Sequence, residues 1–477
     1  MRHLLALDDY VLAPVRLVLA LAVTVHALRT KRETGAAIGW IGLAWLAPIS
    51  GALLYVTFGI NRVRRLARRL TQRHHWASPR EHEAQTRAIE GHLAPLLEAV
   101  RHLTGRPLLR GNHVRCLHDG DNAYPVMLQA IEQAQRSVLL CSYIFRDDRV
   151  GTSFINALAA AHKRGVAVRV LVDGIGSGYF RCGVAARLHA EAIPVARFMH
   201  STLPWRMPFI NLRTHKKVLV VDGTTGFTGG LNIAVENVLR ARPSHPVSDT
   251  HFELRGPIVE QLTEAFARDW SFTTQEDLDE AAFYAPADAR DPPSPPGEAF
   301  CRVVTSGPDS DVEKIEFAMM QGIGLAQRSI RIMTPYFLPD ERMLTALSMA
   351  AMRGVVVDLV MPRQSNHRVI DWARTPNNLP LLDAGARIWL SRPPFNHSKL
   401  LVVDEAWSLI GSANLDVRSL RLNFELNVEV HDSSLARELD QFIRDHGHER
   451  YLAETAKNSP VWIRLRDSAA RLGLPYL

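Results

Sequence analysis

One short motif occurs twice in the chain, and each copy is followed at the same distance by a glycine-rich turn. The first copy runs from His215 to Asp222 and the second from His397 to Asp404; both read H-x-K-x4-D. In each copy the asparagine of the turn lies 17 positions after the histidine, and the turn is Gly229-Gly-Leu-Asn232 or Gly411-Ser-Ala-Asn414. Such a matched repeat predicts two copies of one structural unit, with their motifs brought face to face.

The repeat extends to the sequence around the motifs. Residues 134–138 match residues 326–330, and each stretch leads into an apolar run that predicts a strand. A helical pattern follows in both copies and ends at Gly165 or Gly354, where a second β-rich run begins. Two β-α-β units of this kind predict an α/β fold with two α-β-α sandwich halves, forming a pseudo-dimer with a cleft between them.

The expected halves cover residues 111–275 and 299–477. Residues 276–298 are acidic and proline-rich and predict a linker. From about residue 446 the chain becomes basic and amphipathic. We expect this tail to form a helix packed on the second half; contact with a membrane surface is the alternative.

The amino-terminal residues 1–61 predict a membrane-spanning helical hairpin. Residues 35–60 carry no charge over 26 positions, which is long enough to cross a bilayer. Residues 11–28 form a weaker second span, in which Arg16 lies near enough to the end to reach the interface. Three basic residues lie between the spans, whereas six follow them at the start of a basic neck, residues 62–110. The positive-inside rule therefore predicts that both ends of the hairpin and the catalytic domain face the cytoplasm.

Charge and cysteine content narrow the class of protein. The formal net charge is +7, which suits an anionic partner such as acidic lipid, phosphate or nucleic acid. The four cysteines are far apart and include no C-x-x-C pair, which argues against a zinc site or a disulfide framework. We therefore expect neither a metal nor another cofactor.

The motif residues suit phosphodiester chemistry without a metal. A neutral imidazole can attack phosphorus to form a phosphohistidine, and a second, protonated imidazole can protonate the leaving oxygen. Alternation along a strand places His215 with Lys217, and His397 with Lys399, on one face. The ammonium groups and the turn residues can stabilise the charged phosphate. The phosphate-binding candidates of the turns are Asn232, Asn414, Gly230 and Ser412.

The carboxylates divide into two groups. Asp222 and Asp404 belong to the motifs and are candidate catalytic residues, but they lie at the far end of the strand, where a structural role is favoured. Asp249 and Glu425 lie on the strands after the two turns. A catalytic histidine needs a carboxylate on its far nitrogen. We expect Asp249 to orient His215, Glu425 to orient His397, and the two imidazoles to approach within roughly 6 Å of each other around one phosphate.

The duplicated motif resembles that of the phospholipase D superfamily. Over nearly its whole length the chain is similar to bacterial cardiolipin synthases within that superfamily. The segments that carry this closer resemblance are residues 51–62, 143–151, 171–177, 334–340 and 411–425. The first-half turn departs from the second by having Gly230 where the second has Ser412. Residues 364–367 also differ from the pattern of the relatives, which affects the lipid specificity more than the chemistry.

The resemblance implies a membrane-bound transphosphatidylase. One phosphatidylglycerol would pass its phosphatidyl group to His215 and release glycerol, with His397 as the general acid; a second phosphatidylglycerol would accept the group. Two other functions stay open: a phosphodiesterase that uses water, and a synthase that uses phosphatidylethanolamine as co-substrate. We expect a location in the bacterial inner membrane, anionic phospholipid as partner and no nucleic acid; the sequence leaves the oligomeric state open.

Overall fold

The computed structural model describes residues 2–31, 34–59, 91–200, 212–286, 294–309 and 311–472. The chain divides into two compact units, Met1–Leu66 and Ala67–Leu477. Much of the predicted basic neck, including its arginine run, and residues 287–293 of the predicted linker lie outside the described residues.

The first unit is helical. Helix α1 (Arg2–Thr30) is followed by α2 (Thr34–Leu46), α3 (Pro48–Leu54) and a π-helical turn, Tyr55–Gly59. Within the described residues, one helix is both long and apolar enough to cross a membrane, over Leu12–Thr30 with a mean hydropathy of 1.6. This segment corresponds to the weaker of the two predicted spans.

The stronger predicted span, residues 35–60, is not one continuous helix. It breaks between α2 and α3 at Ala47, whose φ of −140° is not helical. Pro48 explains the break, because proline lacks a backbone N–H and its ring clashes with the carbonyl four residues earlier. The pieces pack together through Tyr55, whose hydroxyl lies 2.7 Å from His26 Nδ1 and whose ring meets that of Trp40 edge-on.

The second unit contains the strands and the remaining helices. Its strands are β1 (Leu109–His118), β2 (Ser137–Ser142), β3 (Ala167–Asp173), β4 (Val195–Phe198), β5 (Val218–Val221), β6 (Thr225–Gly229), β7 (Val247–Ser248), β8 (Thr250–Arg255), β9 (Ala299–Ser306), β10 (Ser329–Met333), β11 (Phe337–Leu338), β12 (Val356–Pro362), β13 (Arg387–Ser391), β14 (Phe395–Asn396), β15 (Leu400–Val403), β16 (Trp407–Gly411), β17 (Leu415–Asp416), β18 (Glu425–His431) and β19 (Glu449–Arg450). Its helices are α4 (Ala94–Thr104), α5 (Asp119–Gln133), α6 (Arg149–Lys163), α7 (Gly183–Ala190), α8 (Ile258–Thr274), α9 (Glu280–Phe283), α10 (Lys314–Leu325), α11 (Glu341–Met352), α12 (Arg368–Asp383), α13 (Val417–Arg421), α14 (Ser433–Asp445), α15 (Ala453–Lys457) and α16 (Val461–Leu472).

Fifteen of these strands form one mixed sheet. From its centre the order is β1-β8-β6-β5-β2-β3-β4 in one direction and β9-β18-β16-β15-β10-β12-β13-β19 in the other. The central strands β1 and β9 pair antiparallel, with Leu109 opposite Cys301. The strand order of the first half thus recurs in the second, and the sheet continues from one half into the other.

Each half has its own hydrophobic core beside the sheet. The first core includes Phe154 of α6, Phe227 of β6 and Leu219 of β5. The second includes Leu347 of α11, Trp407 of β16 and Leu401 of β15. Every residue of β5 and of β15 is buried, which explains their uninterrupted apolar sequences VLVV and LLVV. The motif histidines directly precede two of the most buried strands.

The motif aspartates stabilise the fold at the far ends of those strands. Asp222 and Asp404 both have positive φ, 54° and 55°, directly after β5 and β15. Each carboxylate accepts hydrogen bonds of 2.7–3.0 Å from three successive backbone N–H groups. The donors are Gln135, Arg136 and Ser137 for the first and Gln327, Arg328 and Ser329 for the second. The repeated Gln-Arg-Ser sequence is therefore the binding partner of the motif aspartate, and the structural role favoured above matches this geometry better than a catalytic one.

Replacing either aspartate by alanine is expected to destabilise the protein. Asp222→Ala or Asp404→Ala leaves three backbone donors without their acceptor, at a cost of about 2–4 kcal/mol. Thermal unfolding followed by near-ultraviolet circular dichroism should show a lower midpoint for both variants. Glu132→Ala, at an exposed helical position, is the matched control. An unchanged midpoint combined with lost turnover would contradict the structural assignment.

Candidate active site

The two motif histidines face each other across the middle of the second unit. Their ring centroids are 6.5 Å apart, and the ring planes are nearly perpendicular at 82°. Each is fixed by a backbone bond to the other half: His215 N–H donates to Phe424 O at 2.8 Å, and His397 N–H donates to Ser248 O at 2.7 Å. The separation is slightly larger than expected, but it leaves room for one phosphate between the rings.

Each imidazole pairs with a carboxylate from the opposite half, so the pairing expected from the sequence is wrong. His215 Nδ1 lies 3.0 Å from Glu425 Oε2, and His397 Nδ1 lies 2.8 Å from Asp249 Oδ2. All four side chains are buried or nearly so. Because both carboxylates take Nδ1, the Nε2 atom of each ring is left for the substrate.

The two carboxylates nevertheless occupy equivalent positions in the two halves. Gly229 is opposite His251 in the β6–β8 pair, and Gly411 is opposite Asn427 in the β16–β18 pair. Asp249 and Glu425 therefore occupy matching positions, two residues before those partners. The carboxylates cross between the halves because β14 pairs with β7, and Thr214 forms a bridge with Phe424. These contacts carry each carboxylate strand across to the other half.

The difference between the two glycine-rich turns follows from the carboxylates. A Cβ atom added at Gly230 would lie 2.0 Å from Asp249 Oδ1, so a side chain there is excluded. At the matching position Ser412 Oγ donates to Glu425 Oε2 at 2.6 Å. The predicted phosphate contact of the Ser412 hydroxyl is therefore replaced by a bond that holds Glu425 in place.

Glu425 is held by several donors besides the imidazole. Ser419 Oγ donates to its Oε1 atom at 2.5 Å, and Asn423 Nδ2 donates to the same oxygen at 3.3 Å. Burial alone would raise the pKa of Glu425, but His215, Lys217 and Ser412 hold it below its usual value. The carboxylate is consequently kept ionised beside His215.

The two motif lysines are buried beside the imidazoles. Lys217 Nζ donates to His215 O at 2.7 Å, and Lys399 Nζ lies 2.7 Å from His397 Nδ1 and 4.0 Å from Asp249 Oδ2. Burial lowers the pKa of Lys217 to about 7 and that of Lys399 to about 8. Lys216, between the motif residues, pairs instead with Asp269 at 2.9 Å.

Both histidines are neutral near pH 7 without substrate. Burial lowers the pKa of His215 below its ordinary value, although Glu425 opposes the shift. Burial and the neighbouring Lys399 lower the pKa of His397 to about 3, although Asp249 opposes the shift. An anionic phosphate between the rings adds a negative charge, which favours protonation of an imidazole. A bound anion would therefore raise the pKa of an imidazole in this site.

A cleft of about 430 Å³ opens onto both imidazoles and is lined by residues of both halves. Asn232 and Asn414, predicted as phosphate ligands, lie on its wall. The Asn414 side-chain oxygen is buried without a hydrogen-bond partner among the described residues. This oxygen is a hydrogen-bond acceptor, so it can receive a bond from a donor group of a ligand.

Sequence reasoning assigned no role to three other residues of this cleft: Tyr143, Arg213 and Arg418. The Tyr143 ring lies 4.9 Å from that of His215, and Lys217 Nζ lies 5.4 Å from its centroid. Arg213 precedes His215 by two positions, and alternation along the chain was the signal that could have identified it. The guanidinium groups of Arg213 and Arg418 add positive charge to the cleft, which favours the binding of an anionic ligand.

Comparisons with known proteins identify the family that the chain matches. Residues 127–270 and 319–446 match the family described as cardiolipin synthase, PLD-like domain. Cardiolipin synthase A of Pseudomonas aeruginosa (strain LESB58) is 34% identical over 89% of this chain and 87% of its own length. The major cardiolipin synthase of Bacillus subtilis (strain 168) is 31% identical over 94% of this chain and 95% of its own length.

One solved structure supports the fold. Phosphatidylserine synthase from Haemophilus influenzae superposes with a TM-score of 0.62 at 14% sequence identity, covering 80% of this chain and 100% of that one. The likeness at this identity concerns the mixed α/β architecture with its large sheet. The family match and the two relatives show that the chain belongs to the cardiolipin synthase family of phospholipase D-like proteins and is an enzyme of the phosphatidyltransferase type.

Proposed function

We propose that this enzyme is a cardiolipin synthase that transfers a phosphatidyl group from one phosphatidylglycerol to another and releases glycerol. The observation that carries the proposal is the pair of facing imidazoles, each with Nδ1 on a buried carboxylate and Nε2 left for substrate. The names of the relatives support the choice of lipid product. The reaction proceeds in two displacements at one phosphorus atom.

His215 is the nucleophile of the first step. Its Nδ1 atom lies 3.1 Å from Ser412 O and 3.0 Å from Glu425 Oε2, and both of these atoms are hydrogen-bond acceptors. Nδ1 must therefore carry the proton, which leaves a lone pair on Nε2. Nε2 attacks phosphorus, a phosphohistidine forms, and the bond from phosphorus to the glycerol oxygen breaks.

His397 serves as the acid and then as the base. Its Nδ1 atom lies between Asp249, an acceptor, and the Lys399 ammonium, a donor, so the ring is less tied to one tautomer. Protonated on substrate binding, it gives its Nε2 proton to the departing glycerol oxygen. It then removes a proton from a hydroxyl of the second phosphatidylglycerol, whose oxygen attacks phosphorus and breaks the phosphorus–nitrogen bond.

The lysines neutralise the charge that builds on the non-bridging oxygens. Lys217 and Lys399 are buried, and an ammonium in a site of low dielectric interacts more strongly with an oxyanion than it would in water. Asn232 and Asn414 are the proposed amide ligands of the phosphate. Water as acceptor would give phosphatidic acid by the same groups, and phosphatidylethanolamine remains the alternative co-substrate.

We also propose the finer architecture expected from the sequence. The recurring strand order supports two phospholipase D-like halves arranged as a pseudo-dimer. The apolar helix over Leu12–Thr30 supports membrane attachment, and the interrupted α2–α3 segment is the proposed second half of the hairpin. The proposed location is the bacterial inner membrane, with the catalytic unit facing the cytoplasm.

The products formed from labelled phosphatidylglycerol test the reaction. The purified full-length protein in mixed micelles should convert phosphatidylglycerol carrying labelled headgroup glycerol to cardiolipin and free labelled glycerol in equal amounts. Equal release requires that the second lipid, not water, accepts the phosphatidyl group. Phosphatidic acid without cardiolipin would overturn the synthase in favour of the phosphodiesterase. Cardiolipin formed only after phosphatidylethanolamine is added would identify that lipid as the co-substrate.

Substitution of the two histidines should separate the two steps. We expect His215→Ala and His397→Ala to lower kcat by more than about a thousandfold, because one removes the nucleophile and the other the proton donor. His397→Ala can still accumulate an acid-labile phosphatidyl group on His215, detectable by mass spectrometry of the intact protein. His189→Ala, at an exposed position, is the control. Normal turnover by His397→Ala would contradict the two-histidine mechanism.

The lysine pKa values predict a falling alkaline limb. Lysine is charged below its pKa, so raising the pH through about 7 and about 8 discharges first Lys217 and then Lys399. Their loss removes stabilisation of the transition state, and kcat/KM should decline over this interval. Lys217→Arg keeps its charge and should move the start of the decline to higher pH. A kcat/KM profile that is flat through this interval in the wild type would refute the assignment.

A further inference from the structure

The carboxy-terminal helix α16 presents an apolar face to solvent. Val461, Trp462 and Leu465 are 62%, 64% and 66% exposed. Their spacing places them on one side of a helix, together with Ala469. Scattered apolar residues on a surface are ordinary, but a tryptophan and two aliphatic residues on one helical face form a contiguous patch. We call these four residues the α16 stripe.

The opposite face of α16 is the one that packs on the protein. Ile463, Asp467 and Ala470 are more buried than the stripe, and Ala470 contacts the small apolar cluster around Ile370. Arg466 Nε donates to Asp467 at 2.9 Å, and its guanidinium lies 4.6 Å from the Trp372 ring centroid. The helix is thus anchored by Ile463, Asp467 and Ala470, whereas Val461, Trp462 and Leu465 face outward. A helix that served only to cover the core would have the reverse arrangement.

Positive charge flanks the stripe. Arg464 and Arg471 are exposed on one side of the stripe. Arg466 lies on the other side, with its guanidinium 6.0 Å from the Trp462 ring centroid. An apolar strip with tryptophan and a basic border is typical of helices that lie in the interface of an anionic membrane. Basic residues near such a surface are attracted to anionic lipid.

The stripe is connected to the catalytic cleft through one helix. α16 packs on α12, and Ile370 of α12 lines the cleft, as does the adjoining His367. Val369, next to Ile370, is itself 41% exposed. The helix that carries the stripe therefore packs on a helix that forms part of one wall of the cleft.

We propose that the α16 stripe docks into the surface of an anionic bilayer and so holds the cleft at the lipid from which substrate enters. The occupant is acidic phospholipid, chosen because of the basic border; a protein partner and a second copy of this chain are the rivals. The purpose of this docking rests on the proposed function. The docking itself does not, since binding to lipid can be measured without turnover. Apolar burial and lipid charge should both contribute to it.

The depth of a spin label tests the docking directly. Leu465→Cys, labelled in the full-length protein and reconstituted into vesicles containing phosphatidylglycerol, should be accessible to oxygen and shielded from a water-soluble nickel complex. Met352→Cys is the matched control, because Met352 is 73% exposed on α11 and should remain accessible to nickel. Vesicles of phosphatidylcholine alone should shield Leu465→Cys less. Equal nickel accessibility at both positions in anionic vesicles would overturn the proposal, as would shielding that depends on protein concentration and persists in detergent.

Turnover gives an independent measurement. The double variant Trp462→Ser/Leu465→Ser should lose about tenfold or more of its activity on vesicles, because it removes the side chains expected to insert. Its activity on dispersed short-chain phosphatidylglycerol should equal that of the wild type, since neither residue lines the cleft. Met352→Ser should leave both activities unchanged. Equal loss on both substrates would contradict docking without affecting the assignment of the reaction, whereas a wild type inactive on both substrates would contradict the proposed function and leave the label result intact.

Discussion

The crossed pairing of imidazoles and carboxylates is the interaction on which the rest of this site depends. His215 takes its carboxylate from Glu425 of the second half, and His397 takes its carboxylate from Asp249 of the first. The backbone repeats the exchange through the bonds to Phe424 and Ser248. Neither half therefore contains a complete oriented histidine, and the duplicated chain becomes one catalytic unit only when the halves are joined.

Burial of this cluster sets its electrostatics. Two lysines, two carboxylates and two imidazoles share a site almost closed to solvent. Burial penalises every charge, so the lysine pKa values fall to about 7 and about 8 while the carboxylates stay ionised through their paired donors. Burial also lowers the pKa of both imidazoles, so the two rings are neutral near pH 7. In the proposed mechanism, such a site transfers protons only when the phosphate is bound.

Much of this arrangement could be predicted from the sequence, and the exceptions have physical reasons. Motif spacing and strand alternation depend on local geometry, so the matching positions of Asp249 and Glu425 were predictable. Which histidine each carboxylate meets depends on how the halves join, and no local pattern records that. The break at Pro48 was predictable from proline's missing N–H, but the length of the apolar stretch led to the prediction of a single span. The hydrogen bonds that Asp222 and Asp404 accept were not predictable, because no local pattern shows that the repeated Gln-Arg-Ser sequence supplies their donors.

A difference between the two glycine-rich turns places the two histidines in different surroundings. Asp249 fills the space that a side chain at position 230 would occupy, so the first turn has glycine. Glu425 leaves that space to Ser412, whose hydroxyl joins Ser419 and Asn423 in fixing the carboxylate. The His215 ring consequently faces a rigid acceptor and the Ser412 carbonyl, which hold its proton on Nδ1, whereas His397 has a lysine as its second neighbour. A fixed lone pair suits a nucleophile, and a ring whose protonation can change suits an acid that later becomes a base. In the proposed mechanism, two similar halves thereby perform two different steps.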